Sequence, residues 1–288
     1  MRRSFAPVVV AIAALIAAVA EGAGTPSKIT RSIGAPNAGR LENGAHLEAS
    51  PSIRFIGGYS TEAHYGVREL VDAIEHAARE VKRRYPDAVL GVGQLSRKGG
   101  GEIDRHHSHE SGRDADLAFY LVDSFGRSVQ RDRFYAIRPD GLAGSDPRLR
   151  FDDGRNWALI TALVNDPRAR VTHVFVAGWL RTRLLAYGAR VGAPPALRSR
   201  IAELLMQPRH ALPHDDHFHV RVACPWTSPQ CIENPELSAS KKAWSSPMQL
   251  SKLKPRAPHP PARKLVRARS TGKVPFVHTT TMWPTPGE

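Results

Sequence analysis

Between Gly66 and Tyr85 the apolar residues Leu70, Val71, Ile74, Ala77, Ala78 and Val81 recur at helical spacing with charges between them, which predicts an amphipathic helix. Tyr85-Pro86 ends it. Ala88 to Leu95 reads as a short apolar strand whose glycines imply close backbone approach. Arg97 to Glu102, with three consecutive glycines, reads as a flexible loop. From Ala115 to Val122 the period falls to two, as in a strand. Asp114, Asp116, Ala118 and Tyr120 then share one face, while Ala115, Leu117, Phe119 and Leu121 point into the core.

Asp123 to Arg150 is polar and rich in Gly, Asp and Arg, and is expected as a long surface excursion. Asn156 to Val164 is a helix and Val171 to Ala177 a β-branched strand. Trp179 to Tyr187 and Ala196 to Met206 are two further helices, separated by Gly192-Ala193-Pro194-Pro195. Phe218 to Val222 is the final strand. Glu21 to about Pro51 lacks periodicity and reads as an irregular arm wrapping the domain. There is no internal repeat.

Both ends differ from this middle. Arg2 and Arg3 precede an uncharged apolar run from Phe5 to Ala20, and Ala18-Val19-Ala20 offers an Ala-x-Ala cleavage site, the order of a secretory leader over residues 1–20. The alternative, a membrane anchor, asks for about 20 apolar residues, and this run is short for that. No Cys follows it for lipid attachment, and no later stretch is long and apolar enough to span a membrane. Beyond residue 237, ten Lys and Arg residues between Lys241 and Lys273 meet no acid until Glu288, and prolines interrupt throughout. Apolar residues there are too scattered for a core, so 238–288 is expected to be a disordered basic tail, leaving 21–237 as one domain.

Composition adds charge to the picture. Hydrophobic content of 41% and charged content of 24% are ordinary for a globular chain, but 41 basic against 27 acidic side chains give +14. Without the tail's ten cations about +4 remains. Such an excess favours polyanionic surroundings, and export disfavours nucleic acid among them. Export also makes a disulfide between Cys224 and Cys231 plausible across the turn-rich Pro-Trp-Thr-Ser-Pro-Gln, two free thiols being the alternative.

The candidate chemistry lies in two histidine clusters, His106 to Asp116 and His214 to His219. On one helix His109 and Asp116 would stand about 10 Å apart, too far to share a metal that binds each at about 2 Å. Gly112 and the period-two pattern argue instead for a loop running into a strand, so that His109 folds back over Asp116. In the second cluster His217, His219 and Arg221 share one strand face. One imidazole can bind a metal while the other stands within reach of a bound water. Two His and one carboxylate with an open fourth position is a catalytic zinc pattern, which lowers the pKa of water to about 7. A lone His-x-His is weak evidence, usually solvated, and a lone Asp can be a satisfied buried carboxylate; the combination is specific. His107 is expected in solvent.

Ser108-His109-Glu110-Ser111-Gly112-Arg113-Asp114-Ala115-Asp116 and His214-Asp-Asp-His217-Phe-His219-Val-Arg-Val-Ala-Cys224-Pro resemble the two motifs of the penicillin-insensitive murein endopeptidases, relatives of the D-alanyl-D-alanine peptidases and lysostaphin-like enzymes. Weaker likeness at Arg31-Ser32-Ile33-Gly34, Asn43-Gly44 and around Val174-Phe175-Val176 extends the similarity over roughly Ser27 to Glu233. The resemblance implies that His109, Asp116 and His219 bind zinc, that His217 is the base and that His214 stabilises the oxyanion, with His106 an auxiliary ligand or pocket residue. The Asp123–Arg150 excursion holds no histidine to match further metal positions, so one ion is implied and a second is not. The expectation is an α+β fold, a single domain with a small antiparallel sheet carrying the zinc cleft. Its function would be periplasmic hydrolysis of the D-alanyl–meso-diaminopimelyl cross-link of peptidoglycan. The rivals are a D,D-carboxypeptidase or dipeptidase on stem peptides, and a noncatalytic wall-binding module keeping zinc for shape. The tail would hold the enzyme on the anionic wall or act as a passive linker.

Overall fold

The computed structural model describes residues 28–57, 61–104, 106, 108–130, 132–208 and 213–233. The expected leader, the basic tail and His107 lie outside these residues.

The segment expected as an irregular arm is partly a hairpin: β1 (Arg31–Ala35) pairs antiparallel with β2 (Ala38–Glu42). Gly34 makes its turn at φ +75°, where a Cβ would lie 2.4 Å from the Ala38 carbonyl oxygen, so glycine is required. The pair escapes periodicity because its residues alternate poorly between buried and exposed. β3 (Ala45–His46), β4 (Ile53–Phe55) and β5 (Tyr65–Gly66) follow, β3 pairing with β5. Helix α1 (Arg68–Arg84) buries Leu70, Val71, Ala73, Ile74, Ala77, Ala78 and Val81. Thr30 Oγ1 accepts the otherwise orphaned Arg68 N–H at its start (3.0 Å), and Lys82, Arg83 and Arg84 face the negative end of its dipole.

β6 (Leu90–Val92) leads through the glycine loop to β7 (Asp114–Ala118). That loop is held against the hairpin, with Leu41 N–H donating to the Gly99 carbonyl at 3.0 Å. The strand expected to continue to Val122 breaks after Ala118. Asn156 takes part in the break: its side chain accepts the Tyr120 N–H at 3.0 Å and donates to the Tyr120 carbonyl at 2.9 Å, which also accepts the Asp152 N–H at 3.0 Å, so neither group joins the β7 ladder. Tyr120 is accordingly buried in the core rather than on the aspartate face.

The chain resumes as β8 (Leu121–Val122), which belongs to a second sheet with β9 (Ser128–Val129), β10 (Leu142–Ala143) and β11 (Asp146–Phe151) in the order β10-β11-β8-β9. The expected surface excursion is thus a small sheet with its own buried residues, Tyr135, Ile137, Ala143 and Leu149. Its few apolar residues are spread too thinly along the chain to reveal it.

Asp152 caps α2 (Asp153–Asn165) through the N–H groups of Gly154 and Arg155. β12 (Val171–Phe175), α3 (Gly178–Arg190) and α4 (Pro195–Leu204) follow. Leu205–Met206, expected as the end of that last helix, forms β13, and β14 (His217–Val222) closes the described fold.

The main sheet runs β13-β12-β14-β7-β6-β4. Its central pairs are antiparallel, while the two edge pairs, β12 with β13 and β4 with β6, are parallel. The fold is α+β. Ala115, Leu117, Phe218, Val220 and Val222 face one core shared with α1 and α2, which leaves the other sheet face to Asp114, Asp116, His217, His219 and Arg221. Cys224 and Cys231 form a disulfide. Among the described residues no helix is long and apolar enough to cross a membrane.

Candidate metal centre

The register of β7 and β14 sets His219 opposite Asp116 and Arg221 opposite Asp114, so the two clusters meet across one strand pair. His109 reaches the same place from the preceding loop. Its backbone takes φ +77°, a strained value for a side-chain-bearing residue. Ser96 holds that conformation by donating to the His109 carbonyl and accepting the Gly112 N–H. The Leu95 carbonyl accepts from His109 Nδ1 at 2.8 Å, which fixes the ring and turns Nε2 into the cleft as a bare lone pair.

Three imidazole nitrogens then surround one carboxylate oxygen. Asp116 Oδ1 lies 3.4 Å from His109 Nε2, 3.3 Å from His217 Nε2 and 3.2 Å from His219 Nδ1. His106 Nδ1 stands 3.5 Å from the other oxygen of Asp116. Donors bound tetrahedrally at about 2.0–2.1 Å are separated by about 3.3 Å, so this spacing suits one ion. His109 Nε2 and Asp116 Oδ1 are both buried and have no hydrogen-bond partner. A lone pair aimed at a carboxylate oxygen is unfavourable unless a cation lies between them. The donor set therefore fits a divalent metal, and its all-imidazole and carboxylate chemistry, without thiolate, fits a catalytic rather than a structural zinc position.

The outer partners divide the two strand histidines. His219 is buried and donates through Nε2 to Asp114 Oδ1 at 2.7 Å, an arrangement that leaves Nδ1 for a metal. Arg221 donates to the same Asp114 oxygen at 2.7 Å. His217 is more open; its Nδ1 contacts Asp216 Oδ1 at 2.5 Å, and Phe134 stacks on its ring at 4.7 Å. His214 completes the group, with ring centroids 5.2 Å from His217 and 5.6 Å from His219, and its Nδ1 is buried without a partner. Two hydrogen bonds of 2.7 Å place this segment, from Ala177 N–H to the His214 carbonyl and from Ile137 N–H to the Asp215 carbonyl.

The charges follow from these contacts. Burial raises the cost of ionising Asp114 and Asp116, but the Arg221 guanidinium for Asp114 and the surrounding imidazoles for Asp116 outweigh it and hold both pKa values low. Burial likewise depresses His217, yet the Asp116 carboxylate, with Asp216 behind it, raises its pKa to about 10. A cation on Asp116 would cancel the larger of those two influences. Burial, reinforced by neighbouring imidazoles, lowers His106 and His214 to about 4, so both are neutral at neutral pH.

All six side chains expected from the sequence, His106, His109, Asp116, His214, His217 and His219, are brought together. The partners Ser96, Asp114, Asp216 and Phe134 had no role assigned. Asp114 and Asp216 were visible beside the motifs. Phe134 was not, since only the fold of the second sheet carries it over the cleft, where it lies so close to Gly93 that a Cβ there would come within 2.6 Å.

The comparison with known families decides the lineage. The family described as penicillin-insensitive murein endopeptidase matches residues 32–270, most of the chain. This chain belongs to that family. The match runs beyond Glu233 into the basic segment. Relatives named penicillin-insensitive murein endopeptidase include those of Klebsiella pneumoniae, 27% identical over 243 residues (77% of this chain, 80% of the relative), and Pectobacterium atrosepticum, 26% identical over 254 residues (83% and 82%). That of Escherichia coli is 26% identical over 277 residues, covering 88% of this chain and 93% of the relative. Membership makes the chain a hydrolase, and its buried His and Asp groups are able to hold a metal.

Proposed function

We propose that this chain is a zinc-dependent DD-endopeptidase of the periplasm that hydrolyses the D-alanyl–meso-diaminopimelyl cross-link of peptidoglycan. One observation carries the reading: Asp116 Oδ1, buried and without a hydrogen-bond partner, is ringed by imidazole nitrogens in a chain of the murein endopeptidase family. His109 Nε2, Asp116 and His219 Nδ1 would hold the ion, Asp114 and the Leu95 carbonyl keeping both rings in the metal-binding tautomer. Bound there, zinc would polarise the scissile carbonyl and bring the pKa of water to about 7.

His217 is assigned as the base because it is the more open imidazole of β14 and its far nitrogen is held by Asp216. With Asp116 committed to the cation, Nε2 is free to take a proton from attacking water and pass it to the leaving amine. Neutral His214, its Nδ1 unpartnered, would donate to the oxygen on which negative charge develops. His106 borders the same carboxylate and is kept as an auxiliary residue. No side chain is acylated in this sequence, so β-lactams, which trap serine nucleophiles, should not inhibit.

The test is separate incubation with cross-linked muropeptide dimers and with free pentapeptides, products being identified by mass. Conversion of dimer to monomers is expected. Loss of terminal D-alanine alone would make the chain a carboxypeptidase, and no cleavage of either would favour a noncatalytic wall-binding module.

A further inference from the structure

The turn beyond β14 carries the most exposed large apolar side chain of the described residues, and the proposed chemistry gives it no part. Trp226 is 89% exposed. Ser228 N–H donates to the Pro225 carbonyl at 3.0 Å, closing a β-turn whose corner is Trp226 and Thr227. Cys231 N–H closes a second turn on the Ser228 carbonyl at 3.0 Å, and the Cys224–Cys231 disulfide ties the two ends. Pro225 and Ser228 are buried beneath the corner. Three bonds pin the turns to β1: Ser32 N–H to Ser228 Oγ at 2.9 Å, Gly34 N–H to the Gln230 carbonyl at 3.0 Å, and Ile232 N–H to the Gly34 carbonyl at 2.9 Å. A backbone fixed in this way holds the indole in solvent instead of folding it back onto apolar surface.

Arg170 braces the ring itself. Its backbone takes φ +44°, a costly conformation for a residue with a Cβ. Its carbonyl accepts the Ala223 N–H at 3.0 Å, and its Nη2 donates to the Cys224 carbonyl. So placed, the guanidinium carbon stands 4.6 Å from the centre of the Trp226 ring. Arginine has five N–H donors, and the others remain beside the indole. The unit is a flat π face open to solvent with hydrogen-bond donors next to it. One indole offers at most about 250 Å², well short of the about 800 Å² per partner of a standard protein interface. It matches a single sugar ring. Pyranose C–H groups meet the negative π face, and hydroxyl and acetamido oxygens accept from arginine. Members of the murein endopeptidase family act on a polymer whose backbone is such sugars.

We infer that Trp226, braced by Arg170, is a glycan-binding platform that holds the amino-sugar backbone of peptidoglycan away from the metal centre. This rests on the proposed peptidoglycan substrate and adds the polymer's sugar chain to its peptide. Trp226 lies seven residues past His219, so their backbones are at most about 25 Å apart. The platform acts as an anchor. A glycan strand held there keeps the cross-links of the same polymer at high effective concentration near the metal, without a new contact to the scissile bond. Cleavage of the polymer therefore depends on Trp226, and cleavage of a sugar-free cross-linked peptide does not.

The test titrates the full chain with an uncharged β-1,4-linked N-acetylglucosamine oligomer, which presents the sugar face without peptide and offers the basic tail no charge. Wild type is compared with Trp226→Ala and Trp226→Tyr, and melting temperature checks each fold. Wild type is expected to bind, Trp226→Ala to bind about tenfold more weakly or less, and Trp226→Tyr to recover part of the loss. No binding by wild type, or full affinity in Trp226→Ala, would overturn the assignment. In turnover, Trp226→Ala should raise KM for intact peptidoglycan and leave the rate on a sugar-free cross-linked peptide dimer unchanged. Equal loss on both would make Trp226 a structural residue and also overturn it. Failure of the wild type to cleave either substrate would count against the endopeptidase reading, while the oligomer titration still decides Trp226.

Discussion

Asp116 organises the site because one of its oxygens is the common neighbour of three rings, and each ring is aimed by a partner on its far side. His109 is aimed by the Leu95 carbonyl, His219 by Asp114 and His217 by Asp216. Replacing Asp114 by Asn leaves the shape but removes the charge that orients His219 and raises its basicity. Zinc affinity, measured by competition with a chromophoric chelator, should fall about 10–100-fold; unchanged affinity would remove His219 from the ligand set. Asp216 raises the His217 pKa, so Asp216→Asn should move the acidic limb of the kcat/KM profile to lower pH by about one unit. Movement to higher pH, or none, would deny His217 the role of base. At this scale the site was largely legible: alternation put Asp114 with Asp116 and His217 with His219, and the glycine at 112 marked a loop for His109. Phe134 was not legible, because nothing local to it reports the cleft it folds over.

At the scale of elements, legibility followed the strength of periodicity. α1 buries an unbroken stripe and was visible with its proline stop. β7 was visible at its start, but its end involves a side chain from elsewhere, since Asn156 bonds both backbone groups of Tyr120. Asn156→Ala should therefore cost about 1–3 kcal/mol in denaturant unfolding, because the buried Tyr120 N–H loses its partner while the Tyr120 carbonyl keeps the Asp152 N–H at 3.0 Å. A change within experimental error would place the cause of the break elsewhere. The β1–β2 hairpin and the second sheet escaped for a different reason: their strands are short and mostly half-exposed, so burial leaves little pattern in the residues.

Across the whole molecule, the disulfide fastens the chain just beyond β14. Glu233, two residues past Cys231, pairs with the fully buried Arg113 at 2.7 Å, and Arg113 precedes Asp114 of the metal site. Replacing both cysteines by serine should lower stability by about 2–3 kcal/mol, as expected for a loop this short, and reductant should then have no further effect on the denaturation midpoint. A variant as stable as the wild type would show that the Arg113–Glu233 contact holds this end unaided. The charge of the whole chain, +14, suits an anionic wall polymer as the surroundings of the proposed reaction. The most direct test of that reaction is digestion of purified peptidoglycan with and without chelator, followed by return of zinc and mass identification of the products. The account predicts release of monomers from cross-linked dimers, loss of that release with chelator and its recovery with zinc. Cross-link cleavage that persists at full rate after metal removal would contradict it.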